Sequence, residues 1–279
     1  MTTTVEQAPL GRAPSAEELR LQAKKRRERI SKMFWRIAGY VVVLSVWEFA
    51  SGRLMSERLL PGPTDIVRTF VEIWNSGRLL DSFGATLTRL GIGFGIAFVV
   101  GCLLGMVTQS KWFEGFFRDG ILTSLTAPGL VWALVGIVIW GFKPQGWIFA
   151  IVMTTFGLVA VNVAAGIKAL PKDLLDMATA FRVKRLVRQR EIVIPHLAPF
   201  IFTAIRFGFS IGWKVTVLTE LFSSTKGIGF EMRVASQLFR LDEFFTWVLS
   251  FFVFALFLEK VVLQYFERRF FRWRPEVTG

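Results

Sequence analysis

The chain has 279 residues, is 53% hydrophobic with 29 Phe, and has a mean hydropathy of +0.48, more apolar than a soluble domain of this size. Its formal charge of +13 fits basic loops facing anionic lipid. It does not fit nucleic acid, because removing the apolar runs leaves no basic, aromatic-interleaved soluble domain. The one cysteine, Cys102, excludes an intrachain disulfide, and the one histidine, His196, cannot by itself form a metal site.

Residues 1–14 are rich in Thr, Ala and Pro, a composition expected to stay disordered. Ser15 to Glu18 has the form of a capping box and opens a basic helix, LRLQAKKRRERISK. Because the first apolar run follows directly, this helix is expected on the inner leaflet; a solvated charge run is the plainer alternative. A cleaved leader is not expected. The basic part is too long, the apolar run has full span length, and no small-residue cleavage site follows. The chain thus divides into a cytoplasmic tail with a basic amphipathic helix, residues 1–33, and a membrane domain, residues 34–275.

A helix needs ~20 apolar residues to cross hydrocarbon. Six stretches meet that test, at about 34–52, 83–108, 120–141, 146–167, 197–222 and 244–266. The predicted fold class is therefore an all-α membrane protein with six transmembrane helices. The tail to Lys32 holds eight Lys/Arg, the 168–196 loop seven and the stretch after 266 four, against eight in the opposite loops. That asymmetry places both termini and the 168–196 loop in the cytoplasm.

Between spans one and two, Pro61-Gly-Pro-Thr-Asp65 reads as a turn feeding a helix, with Ile66, Val67, Phe70, Ile73 and Trp74 on one face. In span two, Gly91/Gly95 and Gly101/Gly105 are each four apart and should let another helix approach closely. These glycines mimic a dinucleotide fingerprint, but no strand precedes them. There is no phosphate loop, nucleophile elbow or H-E-x-x-H, so no ATP site, cofactor or catalytic residue is expected in this chain.

The 168–196 loop is the longest polar interruption of the apolar second half. Pro171 stops span four, and Asp173 can cap and start a short helix. Leu174, Leu175, Ala178 and Phe181 then share an apolar face beside a basic one, and Pro195 sets the start of span five. Two readings stay open on physics alone: an amphipathic connector resting on the bilayer, or a docking element for a soluble partner.

This loop resembles the cytoplasmic motif of type I ABC importer permeases: E-A-A, three residues, G, nine residues, I-x-L-P. Asp176, Met177 and Ala178 stand at E-A-A, Arg182 at the glycine, and Ile192 to Pro195 at I-x-L-P, without a gap. Trp47-Glu48, Leu60-Pro-Gly-Pro-Thr64, Thr86-Leu-Thr-Arg89, Leu218-Thr-Glu220, Gly227-Ile-Gly229 and the ending Glu267 to Arg274 resemble the group that carries aliphatic sulfonates, taurine, nitrate and pyrimidine precursors. Two departures stand out. Arg182 replaces a glycine that allows a left-handed turn, so the turn is expected to be remodelled. Span three has one proline, Pro128, in Thr126-Ala-Pro-Gly-Leu-Val-Trp132 where such relatives carry a proline-rich run.

The resemblance implies a type I ABC importer permease fold and a homodimer of permease subunits in a bacterial inner membrane. It also implies cytoplasmic ATPase subunits that bind the ATP, and a periplasmic or extracellular substrate-binding protein. Leu174, Asp176, Met177, Ala178, Phe181, Arg182 and Pro195 become the coupling residues. Leu174, Ala178 and Phe181 would fill an apolar notch on the ATPase, with Lys184, Arg185 and Arg188 meeting acidic residues beside it. The solute would be a small organic anion. A self-contained secondary transporter is the alternative; it would need ion-coupling carboxylates or an inverted repeat, and neither is visible.

Charges inside spans are costly and default to function. Span five holds Arg206, Lys214 and Glu220; the first two lie within ~80° of each other on the helix, and Glu220 is too far round to pair with Lys214. Lys214 reads either as a stepping point for an anionic solute or as half of a pair with Glu48 or a second copy. Trp132 and Trp213 could line a path for a flat organic solute, which completes the candidate pathway set of Trp132, Arg206, Trp213, Lys214 and Glu220. His196 reads as a helix-start residue.

Overall fold

The computed structural model describes residues 16–54, 56, 59–263, 265 and 269. The Thr/Ala/Pro-rich stretch, Ser15 of the capping box and the basic tail after 265, Arg269 apart, lie outside the described residues. Among the described residues every element of regular structure is a helix, joined by short turns. The chain divides into two compact units, Met1–Thr64 and Asp65–Gly279.

In the first unit, α1 (Ala16–Ala50) is one continuous helix of 35 residues. The basic stretch and the first span belong to the same helix, since no Gly or Pro falls between them. After α1 the chain folds back on the helix end. Glu48 accepts bonds from the Thr64 hydroxyl at 2.6 Å and the Thr64 N–H at 3.3 Å, and Ser51 donates to the Leu60 carbonyl at 2.8 Å. A side chain at Gly62 would stand 2.8 Å from the Glu48 carboxylate, so Leu60-Pro-Gly-Pro-Thr64 is the shape that lets this return close.

α2 (Pro63–Asn75) starts with proline at the first helical position and has Asp65 in its first turn. Ile66, Thr69 and Ile73 are its buried face; Val67, Phe70 and Trp74, predicted on one face with Ile66 and Ile73, are exposed. The bundle that follows consists of α3 (Arg78–Val107), α4 (Lys111–Thr126), α5 (Gly129–Trp140), α6 (Pro144–Lys168), α7 (Lys172–Ala180), α8 (Arg185–Arg188), α9 (Ile194–Ser223), α10 (Ile228–Gln237) and α11 (Leu241–Phe257). Among the described residues five continuous helices are long and apolar enough to span a membrane, and the bent pair α4–α5 makes a sixth.

Three features position the rest. First, α3 lies directly on α6. A side chain on Gly101 would strike Val159 and the Phe156 carbonyl, and one on Gly105 would strike Val163 and the Ala160 carbonyl. The contact stripe is Gly93, Ala97, Gly101 and Gly105, all buried. Gly91 and Gly95 meet nothing, so the predicted close approach holds for one pair and fails for the other. The reason is phase: residues four apart make one ridge, and Gly91/Gly95 sit on the neighbouring one.

Second, span three is broken: α4 and α5 meet at 104°. Pro128 cannot donate a helical bond and holds Ala127 extended, at φ −70° and ψ 129°. Third, span five begins earlier than Pro195. One helical run extends from Arg185 to Ser223, passing through a π-helical segment at Gln189–Val193. The Pro195 ring crowds the carbonyl four residues back, at Glu191, which lies within that segment.

An aromatic cluster fills the space between α3, α9, α10 and α11: Leu90, Trp213, Ile228 and Trp247 are buried there, with Phe83, Phe251 and Phe254 against them. The packing of α3 on α6 gives a direct test. Gly101→Leu should lower the thermal midpoint of the detergent-solubilised protein by the equivalent of ~1–3 kcal/mol or more. Gly95→Leu, which meets nothing within 4 Å, should leave it unchanged.

Candidate functional site

Two ends of the bundle carry polar chemistry. At one of them, Glu220 of α9 is 1% exposed and fully engaged. Arg89 Nη1 donates to its Oε1 at 2.5 Å, while Thr86 Oγ1 and the Gly229 N–H donate to its Oε2 at 2.9 and 3.1 Å. Arg89 also donates to the Lys226 carbonyl, and Thr86 accepts the Ile228 N–H at 3.0 Å. Thr86 and Arg89 are three residues apart on α3 and so face the same way. Gly227 has φ 112°, and a side chain there would collide with the Glu220 carboxylate. Beside this knot, Arg78 bonds Glu231 at 2.6 Å and Glu243 at 2.9 Å, tying the start of α3 to α10 and α11.

At the other end stands α7. Its cap is Pro171, and Asp173 lies in the first turn, where its charge suits the helix dipole; it is not the capping residue. The helix ends in a Schellman turn. The Val183 N–H donates to the Ala178 carbonyl at 2.9 Å and the Arg182 N–H to the Thr179 carbonyl at 3.0 Å. Arg182 sits at φ 50°, so the left-handed turn is kept with arginine in it, and the expected remodelling does not occur. Holding a side chain in that region costs about 1–2 kcal/mol.

The faces of α7 differ from expectation. Ala178 is 2% exposed and turned inward, while Leu174, Met177 and Phe181 are exposed, Phe181 to 77%. On the helical wheel Met177 and Phe181 lie ~60° and ~20° to one side of Leu174 and Ala178 ~40° to the other, so the exposed arc runs from Leu174 through Phe181 to Met177 and Ala178 stands at the edge turned to the bundle. Asp at Ala178 would therefore strike the interior of the fold, so Ala178 cannot test docking. Asp176 is exposed and Pro195 lies in the opening turn of α9.

Of the candidate pathway residues, Trp213 is buried in the aromatic cluster, 5.5 Å from Phe251 and nearly parallel to it, with no face turned to a path. Trp132 is partly buried against Phe149. Arg206 is paired with Glu259, 2.9 Å from Nε and 2.7 Å from Nη2 to the same oxygen. Lys214 is exposed and has no ion pair among the described residues. His196 lies near the start of α9, half-buried beside Phe200. No cluster able to hold a metal occurs among the described residues.

Residues 97–272 match the family described as binding-protein-dependent transport system inner membrane component. The chain belongs to this family. The permease is 26% identical over 240 residues to a putative aliphatic sulfonates transport permease protein, SsuC, of Bacillus subtilis, covering 85% of this chain and 87% of that one. It is 27% identical over 200 residues to the nitrate import permease protein NrtB of Synechococcus elongatus, covering 68% and 71%. It is 25% identical over 248 residues to the taurine transport system permease protein TauC of Escherichia coli, covering 86% and 90%. Among solved structures, that of an amino acid ABC transporter with histidines shares the fold. The TM-score is 0.60 at 18% identity, over 71% of this chain and 97% of that one.

This permease is thus the helical membrane subunit of an ABC transport system and not itself an enzyme; ATP hydrolysis belongs to a separate subunit. Membership implies an ATPase and a substrate-binding protein as partners and the inner membrane as location. Thr86-x-x-Arg89, Glu220 and Gly227-x-Gly229, more than 130 residues apart at the extremes, form one polar knot in the permease. Sequence reasoning found these motifs without joining them. It missed Glu259 as the partner of Arg206 because pairing between helices has no periodicity to reveal it.

Glu220→Ala would strand Arg89 beside the protein interior and should lower unfolding stability by ~3–5 kcal/mol. Adding Arg89→Ala should recover part of the loss, a coupling that a double-mutant cycle in detergent reads directly. At the Schellman turn, Arg182→Gly should stabilise by no more than about 1 kcal/mol, and Arg182→Val should destabilise, as thermal melts would show.

Proposed function

We propose that the permease is the membrane-spanning subunit of an importer, that two copies of it enclose the solute path, and that α7 docks the ATPase. The exposed apolar triplet Leu174, Met177 and Phe181 carries this reading. An apolar face left open at the edge of a polar loop needs a cover, and Lys184, Arg185 and Arg188 beside it favour an acidic partner surface. The excess of Lys/Arg puts this loop and both termini in the cytoplasm. Closure of the ATPase pair would then push α7, and α7 would pass the motion to α6 and α9, between which it is inserted. A lever must be stiff, and the Schellman turn at Arg182 fixes its far end.

The solute is a small organic anion. Support for an organic solute comes from the relatives named for aliphatic sulfonates and taurine, and support for an anion from these, from the nitrate relative and from the positive charge within α9. Ion-coupled transport is disfavoured because Glu220 and Glu259 are each held by an arginine. Phe181→Asp should weaken capture of the ATPase subunit on the affinity-purified permease by roughly thirtyfold, the scale of a 2 kcal/mol contact. Membrane insertion and thermal stability should stay unchanged, since Phe181 is a surface residue. Full retention of the ATPase would refute docking through this face.

A further inference from the structure

From Ala204 to Ser223, α9 exposes Phe207, Lys214 and Phe222 and covers the remainder at least in part. Phe207 and Lys214 are seven residues apart, which brings a helix back to within ~20° of the same face. One stripe of α9 is therefore left uncovered by the described residues of its own unit, and a cation stands on it. Gly212, Trp213, Val215, Thr216 and Val217 around that cation are buried, so their packing fixes the lysine to the stripe. Nine residues separate Lys214 from the end of α9, roughly 14 Å of helix, near the midplane of a ~30 Å hydrocarbon core.

Lys214 has no hydrogen bond or ion pair among the described residues. The carboxylate close at hand is committed elsewhere. Glu259 lines a small cleft together with Lys214, Ser210 and Trp213, yet its Oε1 takes both bonds from Arg206. A π-helical segment, Leu258–Leu263, presents Glu259 at that position, and such segments recur at functional sites. The cleft is about 30 Å³, room for a water molecule and not for a solute. Two cations and one carboxylate leave the region net positive at mid-depth. A lysine there costs ~2.5–3.5 kcal/mol if it faces lipid, and ionisable residues of spans face bundle interiors or water-filled cavities instead.

We propose that the uncovered stripe of α9 faces the aqueous solute path and that Lys214 is its anion-contact residue, a specificity determinant for a small oxyanion head such as a sulfonate. The ammonium offers three donors to such a head, and the Arg206–Glu259 pair keeps the nearby acid from neutralising it. This rests on the reading of the chain as a permease for small anions.

The test is thiol labelling in membrane vesicles holding the full transporter, in a Cys102→Ser background. The probes are the impermeant sulfonatoethyl and trimethylammonioethyl methanethiosulfonates. Lys214→Cys should be labelled by both. Ser210→Cys, one turn away, should react faster with the anionic reagent, and Lys214→Met should cut that preference roughly tenfold, the low end of what a focused charge gives. Lys214→Arg should preserve it. No labelling of Lys214→Cys would place the stripe against lipid or a second copy and overturn the proposal, as would a preference indifferent to Lys214→Met. Labelling does not require the ATPase to dock through α7, so ATPase capture on the same vesicles separates failure of this site from failure of the functional reading.

Discussion

A carboxylate buried deep among apolar helices is stable only if every oxygen is answered, and the bonds to Glu220 join three elements at once. Arg89 and Thr86 come from α3, Gly229 from the entrance to α10, and the acid itself from α9. Removing water from a charge pair costs several kcal/mol per ion, so the arrangement holds only with this geometry intact. The glycines at 227 and 229 are present because a side chain at either would occupy the space of the carboxylate or of the α9 backbone. Together with Arg78 on Glu231 and Glu243, the knot makes α3, α9, α10 and α11 one rigid block at that end.

The opposite end is built differently. There α7 buries only Ala178 fully, half-covers Leu175 and leaves Leu174 and Met177 exposed, with Phe181 exposed at its end. A polar knot resists motion between helices, whereas an open apolar face accepts a partner. On the proposed reading of α7 as the docking element, the permease needs both, separated along the bundle. Between them the helices meet through small residues, because apolar surface alone gives no preference for protein over lipid and close backbone approach supplies the attraction. The Pro128 break and the two π-helical segments place irregular backbone within otherwise continuous spans. Each occurs near a residue with a functional reading: Trp132, the α7 connection and Glu259.

Arg182 shows how far turn geometry can override local preference. Glycine suits the left-handed position, yet the two Schellman bonds hold the turn with arginine there. The cost is about 1–2 kcal/mol, less than two satisfied carbonyls and the correct exit direction toward α8 are worth. Phe239 repeats the same turn after α10, with φ 56° and a bond from Arg240 to the Ala235 carbonyl.

The sequence by itself determined the helical class, the positions of most spans, the basic asymmetry of the loops and the short helix after Pro171, because length, apolar runs and proline act locally. It also held the motifs of the polar knot as separate fragments. Only the tertiary structure decided that Thr86, Arg89, Glu220 and Gly229 are one cluster, that Gly93 and not Gly91 touches α6, that Ala178 points inward, and that among the described residues Glu259 takes Arg206 and leaves Lys214 without an ion pair. Those outcomes depend on the rotation of each helix about its axis and on which helix lies beside it, and packing across the bundle sets both.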